Sequence, residues 1–330
     1  MLSHTKNEKI EKLAKEMIEA VKNGNEQNVK HKLKKLSAEK AKLVVNYQNE
    51  QGDTVLHLAA RNGHLKMVEQ FLTCGANPNL KGHFGETSLH CAAFANHVEM
   101  IQKLLEAGAD DSVGNNDAAK PIHVAAMQGS AEAVAALIRN KQSLKLIWKE
   151  ERTPFYAAAM NGKVNVILVL LQKGDDINQV NLYDLKKSAL HVAAINDDIG
   201  LAHCLINNGA DINQTDGSGF TPLQRCAMQP DVSFDVAKIL MDDPDIKVNV
   251  SPSPFLLLAN CKDQTSPKIV EFANCLIAHQ CDLEAVNHDG ETAFEVLDAR
   301  VDGMSENERG LYQLLEKTRK SGSFNQKMKK

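Results

Sequence analysis

The sequence predicts an all-α solenoid of stacked helix-turn-helix units. Three observations carry that prediction. A short motif recurs at an interval of 33 residues, an amphipathic stretch follows each copy and in four of them ends at a glycine, and a helix-capping residue opens nearly every copy. Periods of this length mark arrays of supersecondary units, each too small to bury its own apolar face.

The motif is plainest in Thr54-Val55-Leu56-His57-Leu58-Ala59-Ala60, and it returns 33 residues on as Thr87-Ser88-Leu89-His90-Cys91-Ala92-Ala93. The same step leads to Lys120-Pro121-Ile122-His123-Val124-Ala125-Ala126 and then to Thr153-Pro154-Phe155-Tyr156-Ala157-Ala158-Ala159. Two residues are inserted around Leu182 to Lys187, so the next copy begins at Ser188, and another follows at Thr221. Weaker copies start at Ser253 and Thr292.

Each element has a local cause. Thr54, Thr87, Thr153, Ser188 and Thr221 are suited to accept an orphan N–H at a helix start, and Pro121, Pro154 and Pro222 sit where a missing N–H costs nothing. The Ala-Ala pairs let neighbouring helices approach closely. Gly63, Gly129 and Gly162 supply a turn between the two helices of a unit, while Gly75, Gly108, Gly174 and Gly209 end the second helix.

These residues resemble the ankyrin repeat, whose pattern is a T-P-L-H-x-A-A helix, a glycine turn, a second helix and a G-A-D/N loop leading to a β-hairpin. The resemblance implies an ankyrin-repeat solenoid with repeats at 49–81, 82–114, 115–147, 148–182, 183–215, 216–247 and 248–286. A degenerate helical capping unit is expected over 1–48, with Ile18, Val21, Val29 and Leu33 facing inward. A degenerate repeat and cap is expected over 287–319, and a disordered basic tail over 320–330.

Composition narrows the function. The 38 basic and 42 acidic side chains give a formal charge of −4, too balanced for a nucleic-acid binder. Lys30, Lys32, Lys34, Lys35, Lys40 and Lys42 could face an anionic lipid or nucleic acid, but read better as a solvated helix face. Met1 to Lys12 is too polar for a signal peptide, and the apolar run Val164 to Leu171 is too short to span a membrane. Seven scattered cysteines without a C-x-x-C pair fit neither a disulfide framework nor structural zinc. A soluble, monomeric, cytoplasmic chain without cofactor or metal is expected.

No constellation for chemistry is visible. His57, His90, His123 and His191 hold one motif position in separate units, and in the ankyrin family that imidazole bridges loops by hydrogen bonds. Cys91 beside His90 is expected to be a core residue, since neighbours on a helix point in different directions. The acid pairs at Asp110, Asp175, Asp197 and Asp242 with their successors read as turn residues, and an enzyme is not expected.

The resemblance implies a protein partner, an adaptor or inhibitor target, held on the concave face by hairpin tips and exposed first-helix positions. Seven residues after the capping position stand Arg61, Phe94, Met127, Met160, Ile195 and Met228, five of them large and apolar. Aromatic residues at the hairpin tips, Phe84, Trp148 and Tyr183, extend the candidate surface. The long turns at 229–233 and 261–267 are further contact candidates. Stand-alone arrays of this kind also resemble effectors of intracellular bacteria, a reading that fits the excess of Lys over seven Arg and a basic tail suited to translocation.

Overall fold

The computed structural model describes residues 2–229, 234–261 and 268–320. The long turns and the tail singled out above fall largely outside them, at 230–233, 262–267 and 321–330. The chain divides into two compact units, residues 1–175 and 176–330.

The first unit begins with α1 (Leu2–Lys22), α2 (Glu26–Lys34) and α3 (Ala38–Val45). It continues with four helix pairs: α4 (Val55–Arg61) with α5 (Leu65–Thr73), α6 (Ser88–Phe94) with α7 (Val98–Glu106), α8 (Pro121–Gln128) with α9 (Ala131–Leu137), and α11 (Pro154–Met160) with α12 (Val164–Gln172). A short α10 (Lys141–Leu144), capped by Asn140, stands between the last two pairs. Helices α4, α6, α8 and α11 stack in one layer, and α5, α7, α9 and α12 in a second. Helix α1 closes the first layer against α4, and α2 closes the second against α5.

The stacking follows from the periodic residues. Val68 and Phe71, Ile101 and Leu104, Val134 and Leu137, and Ile167 and Leu170 hold equivalent positions in the second layer, and all are buried. Each contributes roughly 1.5–3 kcal/mol by leaving water. Ala59, Ala60, Ala92, Ala93, Ala125 and Ala126 are equally buried, so the first-layer helices meet over side chains of one carbon. In the N-terminal cap Ile18, Val21 and Val29 are buried, whereas Leu33 is only half-buried, because the α2–α5 seam opens there.

The second unit repeats the plan. A two-residue hairpin, β1 (Val180–Asn181) and β2 (Lys187–Ser188), pairs antiparallel with Val180 opposite Ser188. It leads to α13 (Ala189–Asn196), α14 (Ile199–Asn207), α15 (Pro222–Ala227), α16 (Asp235–Met241), α17 (Pro254–Asn260), α18 (Ile269–Ala278), α19 (Ala293–Asp298) and α20 (Glu306–Lys320). Helices α13, α15, α17 and α19 stack, as do α14, α16, α18 and α20. Helix α20 runs through Lys320, one residue into the segment expected to be tail, with Leu311 and Leu315 buried. The other described hairpins are turns, with single bridges at Trp148–Arg152 and Val286–Thr292.

Candidate partner-binding surface

The scaffold beneath the surface is set by the motif histidines. At His90 the Nδ1 lies 3.1 Å from the Thr87 amide and Nε2 lies 2.9 Å from the Ala119 carbonyl. The ring therefore ties its own helix start to the following hairpin. His57, His123 and His191 make the same bridge, to Leu80, Leu146 and Phe220. Gln224 replaces the imidazole without losing the geometry: its Oε1 accepts from the Thr221 amide at 2.7 Å and its Nε2 donates to the Pro252 carbonyl at 2.7 Å. Burial pushes His90 and His123 down to about 4, and lowers His57 and His191. Rings that are neutral, buried and doubly bonded hold hairpins in place and are not poised for proton transfer.

Cys91 is buried, and burial raises its thiol to about 12. It stays protonated at neutral pH, so it is no nucleophile. Both nitrogens of His90 are bonded elsewhere. Most of the loop acids serve as turn residues: Asp110 accepts from the Ser112 amide, Asp176 from Asn178 and Asp243 from Asp245, whereas Asp198 caps α14 through the Leu201 amide and Asp197 accepts from the Val236 amide of the following unit.

On this scaffold Arg61, Phe94, Met127 and Met160 stand at or next to the C-terminal ends of α4, α6, α8 and α11. The four positions are equivalent by register but not by exposure. Phe94 is 50% exposed and Met160 37%, while Met127 is half-buried. Arg61 is held within the chain, its guanidinium 3.3 Å from Asp53 and 3.5 Å from Glu86. In the second unit Ile195 and Met228 are half-buried.

The hairpin tips differ more sharply. Phe84 is 67% exposed with φ at 54°, a left-handed backbone that bulky side chains avoid. Its carbonyl accepts from the Asn116 amide at 2.9 Å, which locks this tip to the next. Trp148 is half-buried, donates Nε1–H to the Asp117 carbonyl at 2.7 Å and carries Arg152 over its ring. Tyr183 is 70% exposed, between the exposed Leu182 and Leu185. Leu182, Leu185 and Ile147 add apolar surface not singled out by the sequence. The two-residue insertion at 182–187 was the one available signal for the first two.

A repeat protein of stacked helix pairs, with bonded histidines beneath exposed apolar tips, is the class that fold and surface define. The chain belongs to the ankyrin-repeat family: a family model of ankyrin repeats in three copies matches residues 17–115, 109–181 and 176–251. No curated protein matches the chain. Ankyrin repeats are generally protein–protein interaction modules and typically non-catalytic. Among the described residues no helix is long and apolar enough to cross a membrane, and no group of three His, Cys, Asp or Glu side chains could hold a metal ion.

Proposed function

We propose that the chain is a non-catalytic adaptor or inhibitor that captures a partner protein on the first-helix ends and hairpin tips of its first unit. Phe84, Phe94, Met127, Trp148 and Met160 form that patch, and Arg61 borders it. Tyr183, Ile195 and Met228 offer a comparable surface in the second unit.

The observation that carries this reading is Phe84, a large apolar side chain that combines a left-handed backbone with exposure to water. The left-handed turn recurs at the register-equivalent Glu150 and Leu185, so the hairpin dictates that backbone, and it is the large ring left exposed on it that favours a partner there. Burying Phe84, Phe94 and Met160 would contribute about 1.5–3 kcal/mol each. Half-buried Met127 and Trp148 would add shape more than energy, as residues around an interface hot spot do.

The test is affinity capture from lysate with the wild type beside Phe94→Glu/Met160→Glu. Loss of specifically captured protein with an unchanged unfolding midpoint supports the patch. Undiminished capture overturns it, and a lowered midpoint assigns both side chains to the core instead.

A further inference from the structure

Helices α2 and α5 pack side by side in the second layer and leave between them a groove of about 750 Å³. Lys30 and Lys34 line one wall and Lys66 the other, while Leu33, Gln70 and Cys74 lie between. Two observations make the groove more than a gap between helices. None of the three lysines has an ion-pair partner among the described residues, although nearby Lys32 is paired with Glu16. The Gln70 Oε1 atom is buried and has no hydrogen-bond donor among the described residues.

The Gln70 side chain lines the groove and is half-buried, so a rotation that turned its Oε1 outward would let a ligand N–H satisfy this undonated acceptor. The lysines call for anionic groups. Leu33 and Cys74, both half-buried, present apolar surface beside them.

We propose that this groove docks an acidic segment of a partner polypeptide. Carboxylates pair with Lys30, Lys34 and Lys66, a peptide N–H bonds Gln70 Oε1, and an apolar side chain rests on Leu33. A phosphodiester strand fits less well. Glu26 and Glu69 also line the groove, so its lysines suit carboxylates set apart by apolar residues, one of which can rest on Leu33, better than an unbroken row of phosphates. The surface lies on the second helices of the layer, apart from the first-helix ends and hairpin tips proposed above. It therefore constitutes a separate docking face.

The test is fluorescence anisotropy with a labelled peptide of alternating glutamate and leucine, titrated with the full chain. The expected result is binding that weakens with added salt. Lys30→Glu/Lys66→Glu is expected to lose about tenfold in affinity or more. Gln70→Leu, which keeps every charge, is expected to lose several-fold, and Phe94→Glu/Met160→Glu to bind as the wild type does. Failure of this groove and failure of the first-helix patch are thus told apart. Should charge reversal lower the unfolding midpoint, Lys30→Gln/Lys66→Gln replaces it with the same expected direction. No binding by the wild type overturns the proposal, as does binding indifferent to the lysine and Gln70 substitutions. Equal competition by polyuridylate or by mixed phosphatidylcholine–phosphatidylserine vesicles would also overturn it, by showing a general polyanion surface.

Discussion

The carboxylate of Asp53 occupies the space that a side chain at Gly82 would need. A Cβ at Gly82 would overlap Asp53 Oδ1, and that oxygen accepts instead from the His83 amide at 2.9 Å. In other units the residue at this position accepts within its own hairpin, from amides two and four residues on: Asn49 takes those of Gln51 and Asp53, and Asn115 those of Asp117 and Ala119. Gly82 has no such side chain, and a carboxylate of the preceding unit fills the space and takes the adjacent His83 amide instead. Arg61 balances the buried charge.

This relation predicts a coupled pair of mutations. Asp53→Ala leaves the His83 amide without this acceptor and the Arg61 guanidinium with Glu86 as its remaining carboxylate, and should cost about 1–3 kcal/mol. Gly82→Asn alone should also destabilise, because the new side chain collides with Asp53. Together they should cost less than the sum, since the asparagine takes over the vacated place. A double-mutant cycle in urea measures the coupling, and strict additivity would refute the substitution of one side chain for the other.

The buried histidines predict how stability follows pH. In the unfolded chain an imidazole titrates near 6.5, whereas His90 and His123 are pushed down to about 4 in the fold. The folded state therefore binds these protons more weakly. The stability they contribute is complete above about 6.5 and is lost as pH falls toward 4, by about 3 kcal/mol for each of the two rings. His57 and His191 are lowered in the same direction. Since Gln224 already makes the bridge with an amide, His90→Gln should keep the fold and shrink the difference between urea midpoints measured near neutrality and near pH 5. An unchanged difference would place the titration elsewhere.

Phe84 predicts a trade between stability and binding. Its left-handed backbone costs about 1–2 kcal/mol that glycine would not incur, against about 0.5–1 kcal/mol of extra chain entropy for glycine. Phe84→Gly is therefore expected to leave the thermal midpoint unchanged or slightly higher while weakening partner capture. A clear drop in the midpoint would mean that the ring, which lies 3.8 Å from that of His83, belongs to the fold.

Much of this was legible in the sequence because it is periodic. Thr54, Thr87 and Thr153 announce helix starts, and the apolar second-helix positions repeat in step with them, so register and layers follow from spacing alone. Exposure did not follow. Phe94, Met127 and Met160 share one register position, yet their exposure depends on which neighbours the adjacent hairpins supply. The place of Asp53 beside Gly82 was hidden because an acid before a capping threonine reads as an ordinary turn residue. The α2–α5 groove was hidden too, since Lys30 and Lys66 meet only once their helices pack, and Leu33 was expected to face inward.

A ladder of asparagines gives the last prediction. Asn46 donates to the Gly75 carbonyl at 2.9 Å and accepts from the Asn77 amide at 2.7 Å; Asn79 does the same with Gly108 at 3.0 Å and Asp110 at 2.8 Å. In the second unit Asn213 holds Asp245 and Lys247, and Asn249 holds Gln280 and Asp282. Each side chain thus fastens its own loop to the next. The step from Asn46 to Asn79 is again 33 residues, but the same step leads to Ser112, where the series breaks. The unit beyond has no glycine loop after α9, and α10 takes its place, so there is no matching carbonyl and amide for an asparagine to reach. Asn79→Ser is accordingly expected to cost about 1–2 kcal/mol for two lost hydrogen bonds. Ser112→Asn, the consensus choice by register, is expected to gain nothing, because a ladder residue stabilises only where the next loop offers both a donor and an acceptor. Urea midpoints of the two variants decide it, and a stabilised Ser112→Asn would show that the side chain acts on its own loop alone.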